Sequence, residues 1–127
     1  MSAELRIVIP PLARDEIRSF GARAAARIEE RLRIVRAAGW EAARSAGMIR
    51  DLGSIARGIF EIRVTGRGEA YRLLCFAAAG RTGRIVVVAS CVEKSRLLGQ
   101  LRLREHVLRA ALRRDDWMAG NIRGEER

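Results

Sequence analysis

Gly58-Ile59-Phe60-Glu61-Ile62-Arg63-Val64-Thr65-Gly66-Arg67-Gly68-Glu69-Ala70-Tyr71-Arg72-Leu73-Leu74-Cys75-Phe76 is the stretch on which the fold turns. Two runs of β-branched and aromatic residues flank Gly66-Arg67-Gly68, the pattern of an antiparallel hairpin. A two-residue loop, Arg67-Gly68, sets Gly66 opposite Glu69, and stepping back along both strands sets Arg63 directly opposite Arg72. Alternation then puts Phe60, Ile62, Val64, Tyr71, Leu73 and Cys75 on an apolar face and both guanidinium groups on the other. Like charges across a strand pair cost about 0.2–1 kcal/mol, so the arginines ask for an anion, and phosphate is one answer. Glu61, two residues from Arg63 on the same face, is another, as a surface ion pair.

Working outward, Ile85-Val86-Val87-Val88 follows the punctuation Gly80-Arg81-Thr82-Gly83 and completes a three-stranded antiparallel meander between Gly58 and Val92. Upstream, Leu5 to Ile9 reads as a short strand stopped by Pro10 and Pro11, which remove the ladder donor. Apolar residues at Leu12, Ile17, Phe20, Ala24, Ile28, Leu32 and Val35 predict one long helix from Leu12 to Ala38, ended by Gly39. A short helix over Trp40 to Ala46 and an irregular link through Asp51, Gly53 and Ser54 lead to the meander. Leu97 to Trp117 returns to helical spacing. The expectation is an α+β domain over residues 1–118, with an N-terminal strand, one long and one short helix, the meander and a C-terminal helix. The helices are expected on one face of the sheet, and 119–127 as a flexible tail.

Composition bounds the chemistry. With 127 residues, 49% apolar and 31% charged, the chain can bury one core and is not a disordered sequence. Lys and Arg number 25 against 15 Asp and Glu, a net charge of +10 that attracts polyanions: RNA, DNA or an acidic protein. Lys94 is the one lysine; the rest are arginines, which grip phosphate in a bidentate way, although a coding bias toward arginine gives the same composition. Cys75 and Cys91 lack CxxC spacing and His106 is the single histidine, so neither a metal nor a cofactor is expected. No apolar run approaches the roughly 20 residues that span a bilayer, and no leader-like segment opens the chain, so a cytoplasmic protein with reduced thiols is expected.

Single residues carry two readings each. Lys94, directly after the third strand, either swings over the arginine face or is a solvated lysine before a helix. Tyr71 is core or edge packing, and joins the arginines only if the register slips. His106 sits mid-helix, away from other acids or bases.

The strand Gly58-Ile59-Phe60-Glu61-Ile62-Arg63, then Tyr71-Arg72-Leu73-Leu74-Cys75-Phe76, then Val92-Glu93-Lys94-Ser95 together resemble the phage-derived, HigB-like branch of the RelE/ParE toxin superfamily, over roughly residues 5 to 115. The resemblance implies a RelE-like fold and a type II toxin that cleaves mRNA on the ribosome and is held inactive by a helix-turn-helix antitoxin. By the same resemblance Arg63, Arg72 and Lys94 form the catalytic set. Arg57, Arg67, Tyr71 and Arg96 are the expected RNA contacts, and Glu61 and Glu93 the candidate acid and base. The reaction is transfer from an RNA 2′-oxygen to the adjacent phosphorus, which needs charge stabilisation at the phosphate and a proton acceptor and donor. The third motif departs from the family pattern of an aromatic and then a lysine pair: Cys91 and Glu93 stand at the aromatic and first lysine positions. That departure favours one alternative to cleavage, a non-catalytic RNA- or protein-binding domain of the same fold; a ParE-like gyrase inhibitor is another, against which the arginine pair weighs.

Overall fold

In a computed structural model the described residues are 5–66, 68–79, 84–97, 100–120 and 125–126. The chain runs β1 (Arg6–Ile9), α1 (Pro11–Ser19), α2 (Ala22–Ala38), α3 (Trp40–Ser45), β2 (Ile49–Asp51), β3 (Ile59–Gly66), β4 (Glu69–Ala79) and β5 (Arg84–Glu93). A 3-10 turn (Lys94–Leu97), α4 (Gln100–Met118) and the two-residue β6 (Glu125–Glu126) follow. The fold is α+β around one mixed sheet in the order β2-β3-β4-β5-β1-β6.

The meander forms as its residues dictate. Gly66 pairs with Glu69, Arg63 with Arg72 and Ile62 with Leu73, the register set by the two-residue loop. β5 pairs antiparallel with β4, and a bulge interrupts them: Leu74 faces Ser90 and Cys75 faces Val88, leaving Ala89 as the extra residue.

Four expectations need correction. The long helix over Leu12–Ala38 is two helices, because Gly21 takes φ +95°, a left-handed conformation that apolar periodicity does not report. The link after α3 contains β2, antiparallel to β3 with Arg50 opposite Glu61. The C-terminal helix starts at Gln100: Leu97, where it was expected to begin, is the last residue of the 3-10 turn, and 98–99 lie outside the described residues. The helices cover both faces of the sheet: α1, α2 and α3 bury Ala13, Ile17, Ala24, Ile28, Leu32, Val35 and Trp40 against Ile62, Val64, Tyr71 and Leu73, whereas α4 buries Val107 and Ala110 against Ile59, Leu74, Phe76 and Val87. The outer face of the hairpin is apolar at Ile59, Leu74 and Phe76, and those positions need a second cover.

β1 lies parallel to β5, with Ile7 opposite Val86, and β6 pairs on its other side, with Ile9 opposite Glu125. Of the expected tail, 119–120 follow α4, 125–126 form β6, and 121–124 and 127 lie outside the described residues. Pro10 and Pro11 end β1, so β5 has no β1 partner past Val87. Side chains serve that edge instead. Glu16 of α1 accepts the Cys91 N–H at 3.2 Å, Arg113 of α4 donates to the Ala89 carbonyl at 3.0 Å, and the two pair with each other at 2.7 Å. Together they stand in for a missing strand. No helix among the described residues is long and apolar enough to cross a membrane.

Candidate functional site

The arginine cluster is built across three strands. Cross-strand register places Arg50 (β2) beside Glu61 (β3), and Arg63 (β3) beside Arg72 (β4), all on the face that α4 covers farther along. Glu61 lies between the cations: its Oε1 is 3.5 Å from Arg72 Nε and 3.7 Å from Arg63 Nε. Glu61 and Arg72 are buried, at 4% and 5% exposure, whereas the Arg63 side chain is 45% exposed and Arg50 is also open to solvent. Burial lowers the Arg72 pKa, the Glu61 carboxylate opposes that shift, and Arg63 and Arg50 reinforce it. The cluster therefore holds three guanidiniums against one carboxylate, with the excess positive charge displayed at Arg63 and Arg50.

The ion pair of Glu61 with Arg63 exists, but it is one arm of a three-way contact whose inner arm, to Arg72, is sealed from water. A charge pair in that setting is screened far less than one at the surface. Arg72 also reaches the Tyr71 carbonyl at 3.5 Å. Its role is thus to hold Glu61 and back up Arg63 from below, and Arg63 is the member that meets solvent.

Lys94 is exposed on the first residue of the 3-10 turn, two positions beyond Val92, the register partner of Arg72. It lines a cleft of about 460 Å³ at the hairpin end, with Thr65, Gly66, Glu69, Glu93 and Ser95. Glu93 shares this cleft but pairs in register with Tyr71, on the face away from the arginines. One wall is fixed from α2. Arg27 packs over Gly66, where a Cβ would collide with its guanidinium, and lies 3.6 Å from Glu69.

The other expected residues are dispersed. Tyr71 faces the helices, its ring 4.9 Å from Phe20 and its hydroxyl donating to Glu69 at 3.1 Å; burial raises its pKa, and the nearby Glu69 carboxylate adds to the shift. Arg57 is exposed at the far end of β3 from the hairpin, where its carbonyl accepts from Arg114. The backbone of Arg96 lies in the 3-10 turn; its side chain, and Arg67 as a whole, lie outside the described residues. His106 has its pKa lowered by burial, and its charged neighbours are Arg109, Glu105, Glu16 and Arg102, none in the arginine cluster. Cys75 and Cys91 are free and buried, with burial pushing both thiols up. Among the described residues no three His, Cys, Asp or Glu side chains gather as a metal-binding set.

Sequence reasoning missed Arg50. Its signal was the short apolar-to-charged run Met48-Ile49-Arg50-Asp51, too brief to read as a strand without β3 beside it.

Residues 15–115 match the model of the family described as Phage derived protein Gp49-like (DUF891), a RelE-like toxin family associated with toxin–antitoxin toxins. The match takes in Arg50, Glu61, Arg63, Arg72 and Lys94. The comparisons with curated proteins and with solved structures each found no match.

Proposed function

The chain belongs to the phage-derived Gp49-like family, and on that premise we propose that it is the toxin of a type II toxin–antitoxin pair of the HigB-like branch, with a RelE-like arrangement, that cuts mRNA on the ribosome in the cytoplasm. A helix-turn-helix antitoxin is the partner in this reading. The observation that carries it is the cross-strand arginine cluster, in which Arg63 stands in solvent over the buried Glu61–Arg72 pair.

In this reading the scissile phosphate sits against Arg63, which stabilises charge developing on its non-bridging oxygens as the 2′-oxygen attacks phosphorus and the 5′-oxygen leaves. Arg72 holds Glu61 so that Arg63 is presented in one orientation, and Arg50 adds to the positive potential. Glu61 is engaged with both arginines, so the proton transfers fall to Lys94 and Glu93 in the adjacent cleft. Arg67, Arg96 and Arg57 contribute phosphate contacts along the strand bound to the ribosome.

Inducing the chain in growing cells is expected to arrest growth and to leave 2′,3′-cyclic phosphate ends on translated mRNA. Arg63→Ala, at an exposed position, should abolish both while the protein stays folded. Growth that continues unchanged on induction of the unaltered chain would sink the proposal. A second reading, a domain that binds RNA without cutting it, is favoured by the register of Glu93 with Tyr71 on the face away from the arginines. It predicts salt-sensitive RNA binding with no cyclic phosphate product.

A further inference from the structure

On the reading that Arg63 takes the scissile phosphate, we propose that the cleft at the hairpin end seats a purine base next to that phosphate, with Thr65 and Ala70 as the floor that admits it. Thr65 and Ala70 are the register pair two steps along the strands from Arg63 and Arg72. Alternation returns them to the face that the arginines occupy, about 7 Å farther on. A strand of RNA that rests a phosphate on Arg63 can therefore lay a neighbouring base in the cleft.

The arginine cluster and the cleft differ in charge, and the difference identifies what each holds. Around Arg63 three guanidiniums stand against one carboxylate. In the cleft the charges balance: Lys94 offsets Glu93, and Arg27 lies 3.6 Å from Glu69 and offsets it. Such a site has no excess positive charge to draw a phosphate, whereas an uncharged base enters without that requirement. Tyr71 also donates to Glu69 at 3.1 Å, so this wall is held in place before any ligand arrives.

The cleft exists because its floor is small. Gly66 and Gly68 have no side chain, Ala70 has one methyl group and Thr65 a short branched one, and about 460 Å³ is left open. That volume lies in the range of pockets that enclose small organic ligands. None of the described lining residues is aromatic, so a base is held by contact with the floor and by hydrogen bonds to its edge, without stacking on a ring. Thr65 and Ser95 bring hydroxyl groups for that edge. A two-ring purine covers more of the floor than a pyrimidine and gains more from leaving water.

Binding of 2′-O-methyl RNA heptamers by the purified full-length chain tests this, with adenine, guanine, cytosine or uracil at the centre of an otherwise all-uracil strand. These strands lack the 2′-hydroxyl needed for cleavage, so binding is read apart from cutting. The two purine strands are expected to bind about tenfold more tightly than the two pyrimidine strands. Ala70→Leu should fill the cleft and abolish that difference, while the slope of log affinity against log salt stays as it was, because the phosphate contacts lie elsewhere. Thr65→Leu, at an exposed strand position, should do the same from the opposite strand and covers the case in which Ala70→Leu does not fold. Arg63→Ala should do the reverse, lowering the slope and keeping the purine preference. Equal binding of all four strands, no binding of any, or a purine preference that survives both leucine variants overturns the proposal. A chain that prefers the purine strands yet leaves translated mRNA intact supports the cleft as a base site and overturns cleavage alone.

Discussion

One face of the sheet has two halves that solve opposite problems with the same pleat. On β3 and β4 the positions Ile59, Leu74 and Phe76 are apolar and lie beneath α4, with Phe76 edge-on to Trp117 at 5.7 Å between ring centroids. Two residues along each strand, the positions become Glu61 and Arg72, joined by Arg63 and Arg50 from the neighbouring pairs. The apolar half gains stability by losing water. The charged half gives some of that up to keep a carboxylate and a guanidinium nearly dry beside an exposed arginine, an arrangement that stability alone does not select. The difference teaches where to look for function: the charged half is the part of this face whose composition packing does not account for.

Four substitutions, two of them combined, can break or sharpen that contrast. Phe76→Ala in the covered half should have the largest effect, lowering unfolding free energy by about 3–5 kcal/mol in chemical denaturation, because it leaves a cavity under α4. Glu61→Ala should cost about 3 kcal/mol by leaving the buried Arg72 without its carboxylate, and adding Arg72→Leu should recover most of that loss. A double variant no more stable than Glu61→Ala would mean that the pair is not coupled. The smallest effect on folding belongs to Arg63→Ala, within about 0.5 kcal/mol of the unaltered protein. Its cost should appear in RNA binding, with the slope of log affinity against log salt reduced by about one. If Arg63→Ala instead unfolds the domain, the arginine is structural and the contrast between the halves fails.

The hairpin was legible in the sequence because two local rules agree there. The loop Arg67-Gly68 fixes the register, and the alternation from Phe60 to Cys75 admits only one facing, so Arg63 opposite Arg72 follows without knowledge of the rest of the fold. What escaped depends on distant chain. β2 has three residues and is a strand only because β3 offers it an edge, so Arg50 was invisible as a member of the cluster. The break at Gly21 is hidden because Ile17, Phe20, Ala24 and Ile28 keep helical spacing across it. The burial of Arg72 was not legible either: a guanidinium on the outer face of a hairpin reads as solvated until the strands and turns around it are placed.

The parallel pairing of β1 with β5 also sets the timetable of folding. Ile7 must find Val86, 79 positions later in the chain, before the sheet can close around β1. Closing so long a loop for a few contacts is slow. At about 5–20 residues per second of synthesis, the first strand waits roughly 4–16 s on the ribosome before its partner is made. During that interval Ile7, Val8 and Ile9 have no sheet to enter, and a nascent chain released before β5 can assemble neither the complete sheet nor the cleft at Lys94.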